Sequence, residues 1–297
     1  MFLGFLQQNA RLNSNADATS QINPSEVVAY ITTLAPRLCS TTLHSYIHGL
    51  HRAAKLLAPS ADFAWLTEIE EDLKLVAQPR SKLDRLVLAP RLIKAGLKLM
   101  TEAQDLGKLG FERARAVRNG LMISLLAFCP IRRKNFAALE IGHTFKRVGG
   151  RWWICVPAAD TKSRRRDERP VPGLLNPYID LYLEQARPVL LRGKSTTNAL
   201  WISAKTSGPI HPIHLSRLIS QVTLETIGVD VSPHLFRTGA ASTAAVYGGD
   251  TPHLASALLG HTDSRVTEEH YNRASSMTAA KKYAEIIESL RRNEPAT

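Results

Sequence analysis

Apolar residues recur along most of this chain at the three- and four-residue spacing of helices, and the period shortens to strand-like alternation between Leu139 and Pro172. Asn23-Pro24-Ser25-Glu26 is a capping signal for a helix carrying Val27, Val28, Ile31 and Leu34. Ser40-Thr41-Thr42 opens a longer helix with Leu43, Ile47, Leu50, Ala54 and Leu57 as its apolar stripe, and Trp65, Leu66, Ile69 and Leu73 continue the pattern. Ahead of them, Phe2 to Leu6 reads as the second half of a helix whose first half is absent or, equally, as a loosely docked tail. Helical spacing resumes from Leu92 to about Ala103 and from Phe111 to Phe128, where Cys129-Pro130 stops it because proline disfavours helix in the residue before it. Leu139 to Ile141, Trp152 to Val156 and Arg169 to Val171, with a turn at Gly149-Gly150, predict a small antiparallel sheet. Helices return from Asn176-Pro177, as a cap, toward Arg187; after His211-Pro212, with Leu215, Leu218, Ile219 and Val222 inward; from Pro233 to Val246; and from Thr251 to Gly260. Leu200 to Ile202 reads as a short extended piece. A final stripe of Tyr283, Ile286, Ile287 and Leu290 predicts a terminal helix capped near Ser276, short enough to need a partner, either its own chain or a neighbouring copy.

Two prolines, basic residues and little periodicity place a linker at residues 79–90. The expected architecture is therefore mainly α: an N-terminal helical domain, residues 1–78, and a C-terminal α+β domain with a small antiparallel sheet, residues 91–297. A length of 297 residues suits two ordinary domains, each able to bury a core. Lys and Arg number 38 against 26 Asp and Glu, a formal charge of +12, which favours an anionic partner, nucleic acid ahead of a membrane surface. No apolar run reaches the roughly eighteen residues that a spanning helix needs, and no leader is recognisable, so no membrane partner and a cytoplasmic location are expected. Cys39, Cys129 and Cys155 are widely spaced in apolar contexts and read as reduced core thiols, neither disulfides nor a zinc site. No internal repeat and no glycine-rich phosphate loop is present.

Charge and candidate chemistry sharpen this picture in three places. On the polar face of the Ser40 helix lie His44, His48, His51, Arg52 and Lys55. The four-residue spacing of His44 and His48 raises a metal site, but Arg52 and Lys55 would repel a cation and no carboxylate is expected to join them, so a phosphate-facing surface fits better. Thr161-Lys162-Ser163-Arg164-Arg165-Arg166 forms a basic run between the last two predicted strands, in the ordinary case a solvated loop. The densest signal is the string Ser232-Pro233-His234-Leu235-Phe236-Arg237, then Leu259-Gly260-His261, then His270-Tyr271-Asn272-Arg273. If Ser232 caps a helix that Pro233 opens, His234 and Arg237 leave its first turn on one face, and His261 follows a helix end. A guanidinium, two imidazoles and a phenol suit attack on a phosphodiester: the first grips non-bridging oxygens, the second kind moves protons, and the third can be the nucleophile.

This string, together with Pro130-Ile131-Arg132-Arg133-Lys134-Asn135-Phe136-Ala137-Ala138-Leu139, resembles the tyrosine recombinases, or phage-type integrases, strongly over roughly the last two hundred residues and more loosely before them. The resemblance implies a helical core-binding domain, one jaw of a DNA clamp, joined to a catalytic domain. It implies site-specific cleavage and rejoining of double-stranded DNA through a 3′-phosphotyrosyl intermediate, by a homotetramer on paired DNA sites, without metal or other cofactor. By register with Phe136 and Leu139 the first family arginine falls on Arg132, with Arg133 the alternate, and the acidic residue often found three positions later is Asn135. Carried over residue by residue, Arg132 and Arg237 clamp the scissile phosphate, His261 helps to hold it, His234 is the base, Tyr271 the nucleophile and Lys162 the general acid. Arg164, Arg165, Arg166 and Arg273, with His44, His48, Arg52 and Lys55, are expected to grip DNA phosphates. A type IB topoisomerase, or a DNA-binding protein that has kept the scaffold without cleaving, would share the same residues.

Overall fold

In the computed structural model, which describes residues 1–17, 19–78, 83–104, 110–194, 197–247 and 254–259, the backbone divides into two units, Met1–Lys82 and Leu83–Thr297. The first unit is built from α1 (Phe2–Gln8), α2 (Pro24–Leu34), α3 (Ser40–Leu57) and α4 (Ala64–Leu75). Asn23 Oδ1 accepts from the Glu26 N–H at 3.0 Å, and Pro24 takes the first helical position, so α2 starts where its capping signal predicts. The N-terminal apolar segment is a docked helix: the rings of Phe2 and Phe5 lie 5.4 and 5.2 Å from Tyr30. Ile47 of α3 and Leu66 of α4 are fully buried, whereas Leu57, expected on the same stripe, sits at the helix end and is 63% exposed. Cys39, expected in the core, is exposed at the start of α3, its sulfur 3.0 Å from Thr42 Oγ1.

The second unit is centred on α6 (Phe111–Phe128), apolar on nearly every side in its second half, which is the pattern of a helix enclosed by others. Packed around it are α5 (Ala89–Gln104), α8 (Asn176–Leu181) continuing through a π turn at Tyr182–Ala186 into α9 (Arg187–Leu191), α10 (Pro212–Ile227) and α11 (Pro233–Tyr247), while the short α7 (Arg133–Ala137) packs on α10 and α12 (Leu254–Leu259) on α11. A three-stranded antiparallel sheet, β1 (Phe145–Val148), β2 (Arg151–Val156) and β3 (Asp167–Pro170), has its strands in sequence order. The β1–β2 hairpin turns through Gly149 and Gly150 at φ of 56° and 78°, values that a two-residue hairpin requires and glycine meets without strain.

Three local expectations are corrected. The first strand is Phe145–Val148, not Leu139 to Ile141: the Glu140 N–H is taken by Thr144 Oγ1, and Glu140 bridges to Ala199 instead of joining the sheet. Asn176 does not cap α8, because the preceding Gly173–Leu175 turn runs straight into the helix and leaves Leu175 at the cap position. Residues 83–88, within the expected linker, are folded into the second unit: Arg85 pairs with Asp230 at 2.8 Å and Val87 is 4% exposed. Beyond Lys194, Trp201 is fully buried and donates to the Phe136 carbonyl at 2.8 Å, holding α7, and hence the backbone of Arg132 just before it, against the core.

Candidate active site

The site is assembled by a chain of backbone and guanidinium bonds. Pro130 ends α6, Ile131 is buried, and Arg132 follows in extended conformation at the N-cap of α7, its carbonyl accepting from the Phe136 N–H at 2.9 Å. From α11, Arg237 Nη1 donates to the Pro130 carbonyl and Nη2 to the Leu259 carbonyl at 2.8 Å. One guanidinium thus ties the end of α6 to the end of α12, two residues before Arg132 in sequence at one end and two residues before His261 at the other. Those two carbonyls occupy two of its five N–H donors. Arg237 is only 8% exposed, and its pKa is pushed down to about 10 by burial first, then by the charges of Arg132 and Arg169, with Asp167 opposing them. It therefore remains cationic at neutral pH within the field of two other guanidiniums and one carboxylate. The exposed Arg133 and Lys134 flank this group on α7.

Arg169 and Asp167 were not singled out in the sequence. Strand β3 alternates half-buried Asp167 and Arg169 with exposed Glu168 and Pro170, so a period of two marks them as one face. In the β2–β3 register Asp167 stands opposite Val156 and Arg169 opposite Ile154, and directly opposed residues share a face; Ile154 is fully buried and Val156 is 4% exposed. Arg169 Nε and Nη2 reach the two carboxylate oxygens of Asp167 at 2.6 and 3.0 Å, a bidentate pair. The same neighbourhood holds Cys129, whose thiol is pushed up to about 12 by burial, with Arg169 lowering and Asp167 raising it further. That thiol is neutral at physiological pH and is a packing group, not a nucleophile.

Lys162 lies in the loop from β2 to β3 and is exposed, like Arg164, Arg165 and Arg166. The buried Thr161 braces this loop: its hydroxyl donates to the Arg165 carbonyl at 2.7 Å and accepts from the Arg165 N–H at 3.1 Å, and Arg164 takes a left-handed φ of 54°. His234, in the first turn of α11, is exposed whereas Arg237 one turn on is buried. The Ser232 carbonyl accepts the first bonds of that helix, from Leu235 at 2.8 Å and Phe236 at 3.3 Å. His261, Tyr271 and Arg273, with the predicted terminal helix, lie outside the described residues.

In the first unit the histidine face differs from its expectation in one respect: a carboxylate does join it. Glu70 of α4 accepts from His48 and His51 at 2.6 Å each, so both imidazoles are committed through Nδ1 to one side chain. Burial raises the Glu70 pKa, but the hydrogen bonds and charges of the two histidines outweigh this and hold it below its ordinary value. Periodicity could not reveal this partner, since it comes from the next helix. His44 stacks toward His48 at 6.2 Å, while Arg52 and Lys55 are exposed on the same helix. Among the described residues no group of three or more His, Cys, Asp or Glu side chains could hold a metal ion. No described helix is long and apolar enough to cross a membrane.

No protein-family model and no curated protein matches the sequence. Among solved structures the chain is similar to the XerH site-specific recombinase bound to its difH substrate in a pre-cleavage complex, at 14% sequence identity and a TM-score of 0.58, over 94% of this chain and 75% of that one. It is also similar to the XerA recombinase, at 17% identity and a TM-score of 0.44, over 95% and 96%. The fold is that of the tyrosine recombinases, mainly helical with a small three-stranded antiparallel sheet.

Proposed function

We propose that this chain is a site-specific DNA recombinase that cleaves and rejoins duplex DNA through a 3′-phosphotyrosyl intermediate. The observation that carries this reading is the bond from Arg237 to the Pro130 carbonyl, which spans 107 residues of sequence and brings Arg237 into the field of Arg132. Two such guanidiniums at one phosphodiester offset the negative charge that grows on its non-bridging oxygens, the main protein contribution to phosphoryl transfer. Tyr271 Oη attacks phosphorus and the bond to the 5′ oxygen breaks. His234 takes the phenolic proton, since a phenol with a pKa of about 10 is a weak nucleophile until deprotonated. Lys162 protonates the departing 5′ oxygen, and His261 helps to hold the phosphate. One phosphoester replaces another, so a 5′-hydroxyl from a second strand can reverse the step without ATP, and neither metal nor other cofactor is called for. Double-stranded DNA is the partner, with four copies assembling on two paired sites.

The test begins by selecting duplexes from a random pool by binding to the protein and nicking one of them so that cleavage is trapped. The parent protein should form a covalent adduct in the presence of EDTA, and Tyr271→Phe should bind the same duplex and form none. An adduct with the phenylalanine variant would assign another nucleophile, and a requirement for divalent metal would overturn the mechanism. Relaxation of a supercoiled plasmid with no exchange between two selected sites would instead assign topoisomerase chemistry.

A further inference from the structure

The inner face of a small sheet is where apolar residues are expected, yet β3 places an acid and a base there, opposite Val156 and Ile154. Such a pair is costly to desolvate and adds less to stability than apolar residues of similar size, so its presence calls for a reason beyond packing. Arg169 spends Nε and Nη2 on Asp167, and among the described residues its buried Nη1 has no hydrogen-bond partner. The Arg169 side chain is 11% exposed and that of Asp167 28%, so solvent screens the pair weakly. The pair lies within the field of Arg237, whose charge Arg169 opposes and Asp167 supports.

We infer that Asp167 and Arg169 are positioning residues of the anion site, acting through Arg132 and Arg237 on the scissile phosphate; the inference rests on the recombinase reading above. Without a carboxylate, Arg132, Arg169 and Arg237 would be three cations in one neighbourhood, mutually repelled and free to spread. Asp167 fixes the Arg169 guanidinium in a planar two-point grip and lowers the net charge of the array by one. The result is an anion site that is cationic enough to hold a phosphate and still ordered before the phosphate arrives. Preorganisation of this kind acts on the rate at bound substrate, since small displacements of charge-stabilising groups weaken the transition state more than the ground state.

The signature separates positioning from simple support of the fold, because removing a carboxylate beside a phosphate site should help binding while harming chemistry. With the full chain and the selected nicked duplex, Asp167→Asn should bind as tightly as the parent or more tightly. Its rate of adduct formation at saturating DNA should fall by at least about tenfold, with Asp167→Glu recovering most of it. Arg169→Lys, which keeps the charge and loses the two-point grip, should show the same split and serves if Asp167→Asn fails to fold. Parent-like rates in Asp167→Asn and Arg169→Lys would overturn the inference, as would parallel losses of binding and rate. Should the parent itself form no adduct, the recombinase reading fails and a cleavage-free readout decides. Labelling with phenylglyoxal, followed by peptide mass spectrometry, should modify Arg132 and Arg169 faster in Asp167→Asn than in the parent, with exposed Arg133 as the internal reference. Unchanged relative labelling would show that Asp167 does not order the array.

Discussion

At the scale of single residues, side chains that matter to the site are those whose partners lie far away in sequence. The spacing of His234 and Arg237 was legible because helix geometry is local, but the carbonyls that Arg237 holds, on Pro130 and Leu259, are set by packing. Asp167 and Arg169 carried a visible signal in their alternation, though nothing in the sequence says which face of β3 turns toward the end of α6. Glu70 is a like case, and its consequence can be measured. Its carboxyl lies below the unfolded value of 4.5, so the stability it contributes is present above about pH 4.5 and is lost as pH falls through the folded value. Glu70→Gln should therefore lower the melting temperature at neutral pH, with a cost of about 1–3 kcal/mol for the weakened charged hydrogen bonds. The difference from the parent should close as pH falls through the folded value, and a gap that stays undiminished over that acid range would mean that the histidine bonds do not depend on the carboxylate charge.

At the scale of elements, α11 is the part on which the site turns, and its seating depends on a residue with no side chain. A Cβ added at Gly239 would stand 2.3 Å from the Val87 carbonyl oxygen, and two neighbouring contacts, Ala89 N–H to Thr243 Oγ1 at 2.9 Å and Arg85 Nε to the Asp230 carbonyl at 2.8 Å, hold the same segment beneath the helix. The obstacle is backbone on both sides, so Gly239→Ala must lift α11 or push residues 86–88 away. The expected outcome is a loss of about 1–3 kcal/mol in stability, measured by urea unfolding. A fall in adduct formation should accompany it, because Arg237, two positions earlier, moves with the helix. A stable variant with parent-like cleavage would show that the site tolerates displacement of α11. The helices themselves were legible, since the Asn23 cap and the helix-opening prolines Pro24 and Pro212 are local chemistry. The first strand was not, because Leu139 to Ile141 has strand-like composition but loses a backbone donor to Thr144 in the adjoining turn.

At the scale of the whole molecule, the formal charge of +12 falls entirely on the second unit, since residues 1–82 balance seven basic against seven acidic residues; even so, Arg52 and Lys55 are exposed together on α3, as Arg164, Arg165 and Arg166 are between β2 and β3. A basic balance was plain from composition. What composition could not place was the edge of the second unit, because Val87 is a single apolar residue in a proline-flanked basic run and its burial depends on α11 arriving from far down the chain. If both units contact duplex DNA, binding should release counterions from each in proportion to the phosphates it neutralises. A footprint on the order of eight phosphates gives a slope of log affinity against log salt near −7, at about −0.9 per phosphate. Arg52→Glu with Lys55→Glu should flatten that slope by about two while leaving the rate of adduct formation at saturating DNA unchanged, since neither residue belongs to the group around Arg237. Reversing Arg165 and Arg166 should flatten it by a similar amount from the other unit. If the α3 reversals left the slope unaltered, the first unit would not be part of the DNA-binding surface. A parent slope shallower than about −2 would remove an extended phosphate-gripping interface altogether.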